Sequence, residues 1–371
     1  MMKYSKPTLL LNKNKCLQNI NAMAKRAAHS KVRFRPHFKT HQSRVIGKWF
    51  FDAGVRHITV SSVSMANYFA GDGWKDISIA IPFNINEIDT INELERDISI
   101  NLLVSSVETA KNLVNLATRE IGCYIKIDTG YGRCGFTLNE TNAISEVINI
   151  LQRNPLLEVK GLLSHFGHTY QARSPLQVKE IYTSNVRTML KIKDYCSGAF
   201  PNLEISVGDT PSCSLLTDFM DVTEIRPGNF IFYDMMQEQI GSCTSNQIAV
   251  GLVCPVIEIK SSRNEAIIYG GAIHLSKDYL LDQNGNKNYG AVCLLQNDTW
   301  SSPIENCFVK SLSQEHGVIS MNTELSEILK PGDHVVILPV HSCLTSSAMQ
   351  EYYTVAGEKI KMMNWDIRDK S

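Results

Sequence analysis

The sequence predicts an α/β protein, an N-terminal (β/α)8 TIM-type barrel followed by a mainly β C-terminal domain. Three observations carry the prediction. Short segments rich in Ile, Val and Leu alternate with amphipathic stretches through the first two thirds of the 371 residues. Most of the apolar segments end in Gly, Ser or Asp, as strands do where they run into polar turns. From about residue 246 the alternation stops, and strand-like segments follow one another across turns such as "NGN" and "PGD".

The strands come in order as "HITVSSV" (57–63), "DISIAIPF" (76–83), "ISINLLVSS" (98–106), "GCYIKIDTG" (122–130), "VKGLLSHFG" (159–167), "LEISVGD" (203–209) and "VTEIRPGNFIF" (222–232). Between them "SVETAKNLVNLATRE" (106–120) and "LNETNAISEVINILQRN" (138–154) have helical spacing, the second opening with Asn139 as its cap. Such alternation calls for parallel strands joined by helical crossovers, and its count and length favour a closed eight-stranded barrel over an open sheet. The expected domains are 8–245 for the barrel and 246–371 for the β domain, with residues 1–7 packed on the latter. In the second domain "IAVGLVCPVIEIK", "NEAIIYGG" and "DHVVILPVH" read as strands with no comparable helix between them.

Composition narrows the function. Hydrophobic residues make up 43% and charged residues 20% of the chain, the balance of a folded globular protein. Lys+Arg and Asp+Glu number 37 each, so no net field draws nucleic acid or an acidic membrane surface. No apolar run reaches the ~18 residues that cross a bilayer. The first residues, "MMKYSKPTLLLNKNKCL", lack a secretory apolar core. Ten cysteines without a CxxC read as mostly buried thiols of a reducing compartment, and the expected location is cytoplasmic.

Barrels of this kind place reactive residues at the C-terminal ends of strands. In "RFRPHFKTHQS" (33–43), Lys39 stands between His37 and His41. Like charge and desolvation disfavour the charged amine, as a Schiff-base lysine requires, while composition alone reads as a solvated basic loop. "IKIDTGYGRCGF" (125–136) ends a strand in a glycine-studded turn with one arginine, Arg133. "LLSHFGHTY" (162–170) sets His165 at a strand end, with His168 and Tyr170 beyond it. "ISVGDTPSC" (205–213) and "EIRPGNFIFYD" (224–234) run from strands into Gly beside hydroxyl or amide donors, as late-barrel phosphate loops do. In "PVHSCLTSS" (339–347), His341 and Cys343 at i and i+2 share one face of an extended chain and form a candidate zinc pair. Taken alone, a buried cysteine beside a structural histidine explains them equally well.

Together these motifs resemble the fold-type III pyridoxal phosphate enzymes, the alanine racemase-like barrel, and within them the D-serine dehydratase and D-threonine aldolase branch. The resemblance runs from "KPTLLLNKNKCLQNI" to "EYYTV". "RPHFKTH" is similar to that branch's cofactor-lysine motif, which implies that Lys39 carries pyridoxal 5'-phosphate and acts as the catalytic base. By the same resemblance Arg133 contacts the cofactor's phenolic oxygen and His165 packs beside its ring. Gly208 and Thr210, with Gly228 and Asn229, belong to the phosphate loops. Tyr170 is a cofactor contact, and Arg226 lies at the ring nitrogen.

"HSC" resembles the branch's metal pair, so His341 and Cys343 are implied to hold a divalent metal, Zn2+ before others. His-x-Cys leans toward the dehydratases and His-x-Asp toward the aldolases. The implied activity is therefore β-elimination on a β-hydroxy-D-amino acid, D-serine giving pyruvate and ammonia. The alternatives are retro-aldol cleavage of D-threonine or 3-hydroxy-D-aspartate, an amino-acid racemase, and a non-catalytic cofactor carrier. The racemase tyrosine motif is not recognisable, and carriers usually lack the β domain. The resemblance also implies a homodimer.

Overall fold

A computed structural model of the chain describes residues 4–198, 200–282, 284–296 and 299–363. It divides into two compact units. One is Asn21–Gly228; the other joins the segment through Ile20 to the chain from Asn229 onward.

Strand β1 (Thr8–Leu11) opens the chain, and the next eight strands build the first unit. They are β2 (Arg33–Phe34), β3 (His57–Val60), β4 (Asp76–Pro82), β5 (Ser99–Val104), β6 (Ile121–Lys126), β7 (Leu157–Ser164), β8 (Glu204–Val207) and β9 (Glu224–Ile225). All pair in parallel, in the order β2-β9-β8-β7-β6-β5-β4-β3. The ring closes just beyond β2, where the Phe38 N–H donates to Thr59 O at 2.8 Å and the Thr59 N–H donates to Pro36 O at 2.9 Å. On the other side of the same segment, Arg35 and His37 donate to Ile225 O and Pro227 O at 3.0 and 2.9 Å. This is the expected (β/α)8 barrel.

Seven of its strands are those read from apolar runs. The eighth, Arg33–Phe34, is too short and too charged to give that signal. The expected strand 222–232 shrinks to Glu224–Ile225, since Pro227 has no N–H to donate and Asn229–Ile231 coils into a 3-10 turn. The expected helix over 106–120 is Val107–Leu116, with Ser106 as its cap and its end four residues short of the expected one. The next helix, Thr141–Leu151, is not capped by Asn139. Thr137 and Glu140 form a capping box one turn earlier, with the Thr137 N–H donating to Glu140 Oε2 at 2.8 Å.

The second unit closes a six-stranded antiparallel barrel from Glu265–Tyr269, His316–Ser320, Phe308–Leu312, Gly290–Gln296, His334–Pro339 and Val250–Lys260, the last pairing back to the first. Strand β1 adds antiparallel to Val250–Lys260 and parallel to Glu351–Thr354. The division therefore differs from 8–245 and 246–371: the "TLLL" segment joins the β unit because its backbone partners lie there. Short helices also interrupt the β unit, notably Ser342–Met349. All ten cysteines are free thiols and eight are buried, as the composition suggested. Among the described residues no helix is long and apolar enough to cross a membrane.

Phe38 anchors the barrel seam. It is fully buried, with ring centroids 4.9–5.0 Å from Phe50, Phe69 and Trp74. Phe38→Ala leaves a cavity there and is expected to cost about 3–5 kcal/mol. Urea unfolding of the cofactor-free protein measures it, and an unmoved midpoint removes the cluster from the account of closure.

Candidate active site

The segment that closes the barrel carries Lys39 straight into the mouth. One turn, closed by the Gln42 N–H donating to Phe38 O at 2.9 Å, puts Phe38 and His41 on the buried side and leaves Lys39 exposed. His41 therefore does not flank the amine. It is fully buried, 4.4 Å from Phe38 and stacked on Phe50 at 5.5 Å. Its Nδ1 accepts the Ser43 N–H at 3.1 Å, and burial lowers its pKa to about 3. His37 stays beside the lysine, with the Lys39 N–H directed at its Nδ1 from 3.4 Å.

Three other basic groups from separate strand ends meet at this point. Burial, then the charges of Lys39 and Arg226, His165 and the charge of Arg133, hold His37 well below its ordinary pKa. The His165 pKa falls to about 3 through burial, opposed by its bond to Gly208 O and reinforced by Lys39, Arg133 and Arg226. His165 Nδ1–H donates to Gly208 O at 2.5 Å, which fixes the neutral tautomer with its proton on Nδ1. Arg226 is buried, its Nε–H donating to Ser206 Oγ and its Nη2–H to Ser164 O, both at 2.7 Å. Burial lowers its pKa to about 10, which leaves it charged at neutral pH. Arg133 is exposed on its turn, 5.7 Å from the Tyr131 ring centroid.

The glycines bring two loops close to these groups. A Cβ on Gly208 would lie 2.9 Å from Arg226 Cβ, and one on Gly228 would lie 3.0 Å from His37 Cβ and 3.1 Å from Thr40 Oγ1. Asp209 caps the helix Thr210–Leu215, accepting the Ser212 N–H at 2.7 Å and the Thr169 hydroxyl at 3.0 Å. The Thr210 N–H donates to Tyr170 Oη at 3.2 Å. Thus His165, Thr169 and Tyr170 clamp residues 208, 209 and 210 in turn. His168 stands apart, bonded to Asn185 on a flanking helix at 2.6 Å.

The Thr210 hydroxyl is buried without a hydrogen-bond partner. An orphaned hydroxyl beside two close-approach glycines, under a cluster of cations, fits a phosphorylated cofactor with a reactive lysine at its other end. The amide nitrogen of Asn229 is committed elsewhere, Nδ2 lying 2.7 Å from Asp234 Oδ2, 3.0 Å from Ser342 Oγ and 3.6 Å from Cys343 Sγ, while its Oδ1 is buried without a partner. Its main chain remains the part continuous with the Gly228 loop.

In the β unit, His341 caps the helix Ser342–Met349, and Cys343 lies in that helix's first turn. The pair therefore meets across a helix start, not along an extended strand, and the two side chains hydrogen-bond. Asp278 Oδ2 lies 2.8 Å from His341 Nδ1, leaving Nε2 as the nitrogen for a metal. Among the described residues no group of three or more His, Cys, Asp or Glu converges to enclose an ion. An imidazole and a thiol fit a borderline-soft metal whose other positions stay open to water or substrate.

Residues 11–235 match the model of the alanine racemase N-terminal domain, well over half of the chain. The chain belongs to that family. Residues 249–355 match a putative serine dehydratase domain. A D-serine dehydratase of Dictyostelium discoideum is 31% identical over 93% of this chain and 91% of its own length. A D-threo-3-hydroxyaspartate dehydratase of Delftia sp. (strain HT23) is 26% identical over 95% and 94%. Among solved structures, a cysteine-to-alanine mutant of a D-threo-3-hydroxyaspartate dehydratase in the metal-free form superposes with a TM-score of 0.90 at 23% identity, covering 98% of this chain and all of that one.

Several members of this alanine racemase-type site escaped the sequence reading. Lys126 is buried, donates to Ile127 O at 2.6 Å and has its pKa lowered to about 8, chiefly by burial. Its signal was available: a lysine inside the apolar run "YIKID" cannot leave the barrel wall. Ser206 and, in the β unit, Asp278 gave no comparable signal, because their partners lie far away in sequence.

Asp209 offers a check by pH. Burial, opposed by its hydrogen bonds, raises its carboxyl from 3.8 to about 6. The folded chain then holds that proton more tightly than the unfolded one, so this contribution is full below pH 3.8 and is lost as pH rises through 6. Asp209→Asn removes the titration. Relative to the variant, the cofactor-free wild type should lose on the order of 2–3 kcal/mol between acid and neutral pH. A stability difference that stays flat across that window refutes the assignment.

Proposed function

We propose that this chain is a pyridoxal 5'-phosphate- and metal-dependent lyase of β-hydroxy-D-amino acids, converting D-serine to pyruvate and ammonia. The convergence of Lys39, Arg133, His165 and Arg226 beside the Gly208 and Gly228 loops carries this reading. The Dictyostelium relative supports the choice of substrate.

Bound pyridoxal phosphate supplies an electron sink for the charge that develops at the substrate's Cα. A divalent metal on His341 and Cys343, zinc by the chemistry of the pair, supplies a Lewis acid for the departing β-hydroxyl. The protein does the rest. Lys39 holds the cofactor and then, with its amine freed, removes the Cα proton as general base. Arg133 would offer a cationic donor to the cofactor's phenolic oxygen, and Arg226, held by Ser206 and Ser164, would offer a fixed one to the ring nitrogen. His165, kept neutral, packs beside the ring without adding charge. Gly208, Thr210, Gly228 and the Asn229 main chain hold the phosphate, and Tyr170 steadies that loop through the Thr210 N–H. The water lost in elimination is returned in hydrolysis, so the net products are a 2-oxo acid and ammonia. We further propose a cytoplasmic homodimer, for which exposed Ile273, Tyr279 and Leu281 provide apolar surface.

Incubation with D-serine should yield pyruvate and ammonia, and a chelator should abolish both. Glycine and acetaldehyde from D-threonine, without pyruvate from D-serine, would instead identify an aldolase. Borohydride reduction should fix the cofactor to Lys39, as peptide mass spectrometry would show; label on Lys126 alone would move the cofactor lysine. His341→Ala and Cys343→Ala should each lose bound metal and at least about a hundredfold in turnover. Full turnover by these variants in metal-free buffer excludes the Lewis-acid role.

A further inference from the structure

The barrel interior carries charge where barrels of this type are filled with branched aliphatics. Arg33 bonds Glu204 at 2.8 and 2.9 Å and Glu224 at 3.2 Å. Arg35, only 2% exposed, bonds fully buried Glu224 at 2.7 Å and Asp76 at 2.5 Å. Glu224 also accepts the Ser206 hydroxyl at 2.6 Å, and Ser206 accepts Arg226 Nε–H at 2.7 Å. Three guanidinium groups and three carboxylates thus form one hydrogen-bonded chain, and Arg226 is its terminal cation.

The polarity of the last link is determined. A serine hydroxyl has one hydrogen, and Glu224 takes it, so the oxygen can only accept from Arg226. Strand register builds the link in: Ser206 pairs with Glu224 across β8 and β9, and Arg226 follows Glu224 by two residues on the same face. With Nε on Ser206 and Nη2 on Ser164 O, the guanidinium plane is fixed at two points. Among the described residues Nη1 makes no hydrogen bond, which leaves it for a ligand.

We propose that Ser206 and Glu224 are positioning residues that fix the plane of Arg226 and hold its positive charge toward the ring nitrogen of the bound cofactor. The proposal rests on the reading of Arg226 as the ring-nitrogen donor. Neither residue touches the cofactor; both act through Arg226. A fixed cationic donor keeps the ring nitrogen unprotonated, so loosening it should alter the electronic state of the cofactor as well as its affinity.

The test uses Ser206→Ala, Ser206→Thr, Arg226→Gln and the Ser206→Ala/Arg226→Gln double variant, each reconstituted with pyridoxal phosphate. Glu224→Gln strips two arginines of a counter-charge and risks misfolding, so Ser206 carries the test. The readouts are the cofactor dissociation constant by equilibrium dialysis, and the visible absorption band of the holoenzyme titrated across neutral pH. Ser206→Ala should weaken cofactor binding about tenfold and displace the band's titration. Ser206→Thr, which keeps the hydroxyl, should restore both. The double variant should match Arg226→Gln alone, as expected for residues acting through one group. If Arg226→Gln changes both readouts while Ser206→Ala changes neither, or if the two effects add, the relay is wrong. If Arg226→Gln itself changes neither, the ring-nitrogen reading falls and takes the relay with it.

Discussion

The barrel unit depends on a few backbone hydrogen bonds at its seam. Residues 35–38 donate to Ile225, Pro227 and Thr59 and accept from Thr59, so they hold the first and last strands of the ring together. Lys39 is the next residue. The bonds that close the fold therefore also set where the Lys39 side chain leaves the wall. His37, inside the seam, is the neighbour that a Cβ on Gly228 would strike, which ties the Gly228 loop to the same strip of chain. Fold closure, lysine placement and loop approach are one constraint.

A second principle is the sorting of charge along the strands. Asp76, Glu204 and Glu224 are the first residues of β4, β8 and β9, whereas Lys39, Arg133 and Arg226 follow strand ends. Arg33 and Arg35 neutralise the carboxylates within the barrel. The cations at the mouth are left with few acidic neighbours, and an anion is the natural partner for them. Ionised groups of this kind are costly to bury and retain that cost only with hydrogen bonds to satisfy them. Here nearly every one is bonded, and the network specifies which way Arg226 faces.

How far the sequence shows these features depends on their range. Strands with apolar runs were legible because alternation is a local signal, and seven of eight were found, the last of them far shorter than its apolar run. Arg33–Phe34 was hidden: Arg33 and the Arg35 that follows the strand look like solvent-facing charge until Glu204, Glu224 and Asp76 come from other strands to meet them. His41 misled for a similar reason, since a histidine near a lysine suggests electrostatics, and only the turn at 38–42 shows it facing Phe38 and Phe50. The pair His341 and Cys343 was legible as a motif, but its geometry was not, because the strand gives way to a helix between them.

The sequence by itself determined the order of elements and the presence of a basic segment around Lys39, of glycine-bearing loops and of a His-x-Cys pair. Each is written in contiguous residues whose spacing and chemistry are local. The tertiary structure decided which charges are counter-charges, which histidines stay neutral and how Arg226 is held. Those properties come from burial and from partners that lie far off along the chain, as Glu224 does from Arg33, and no local pattern encodes them.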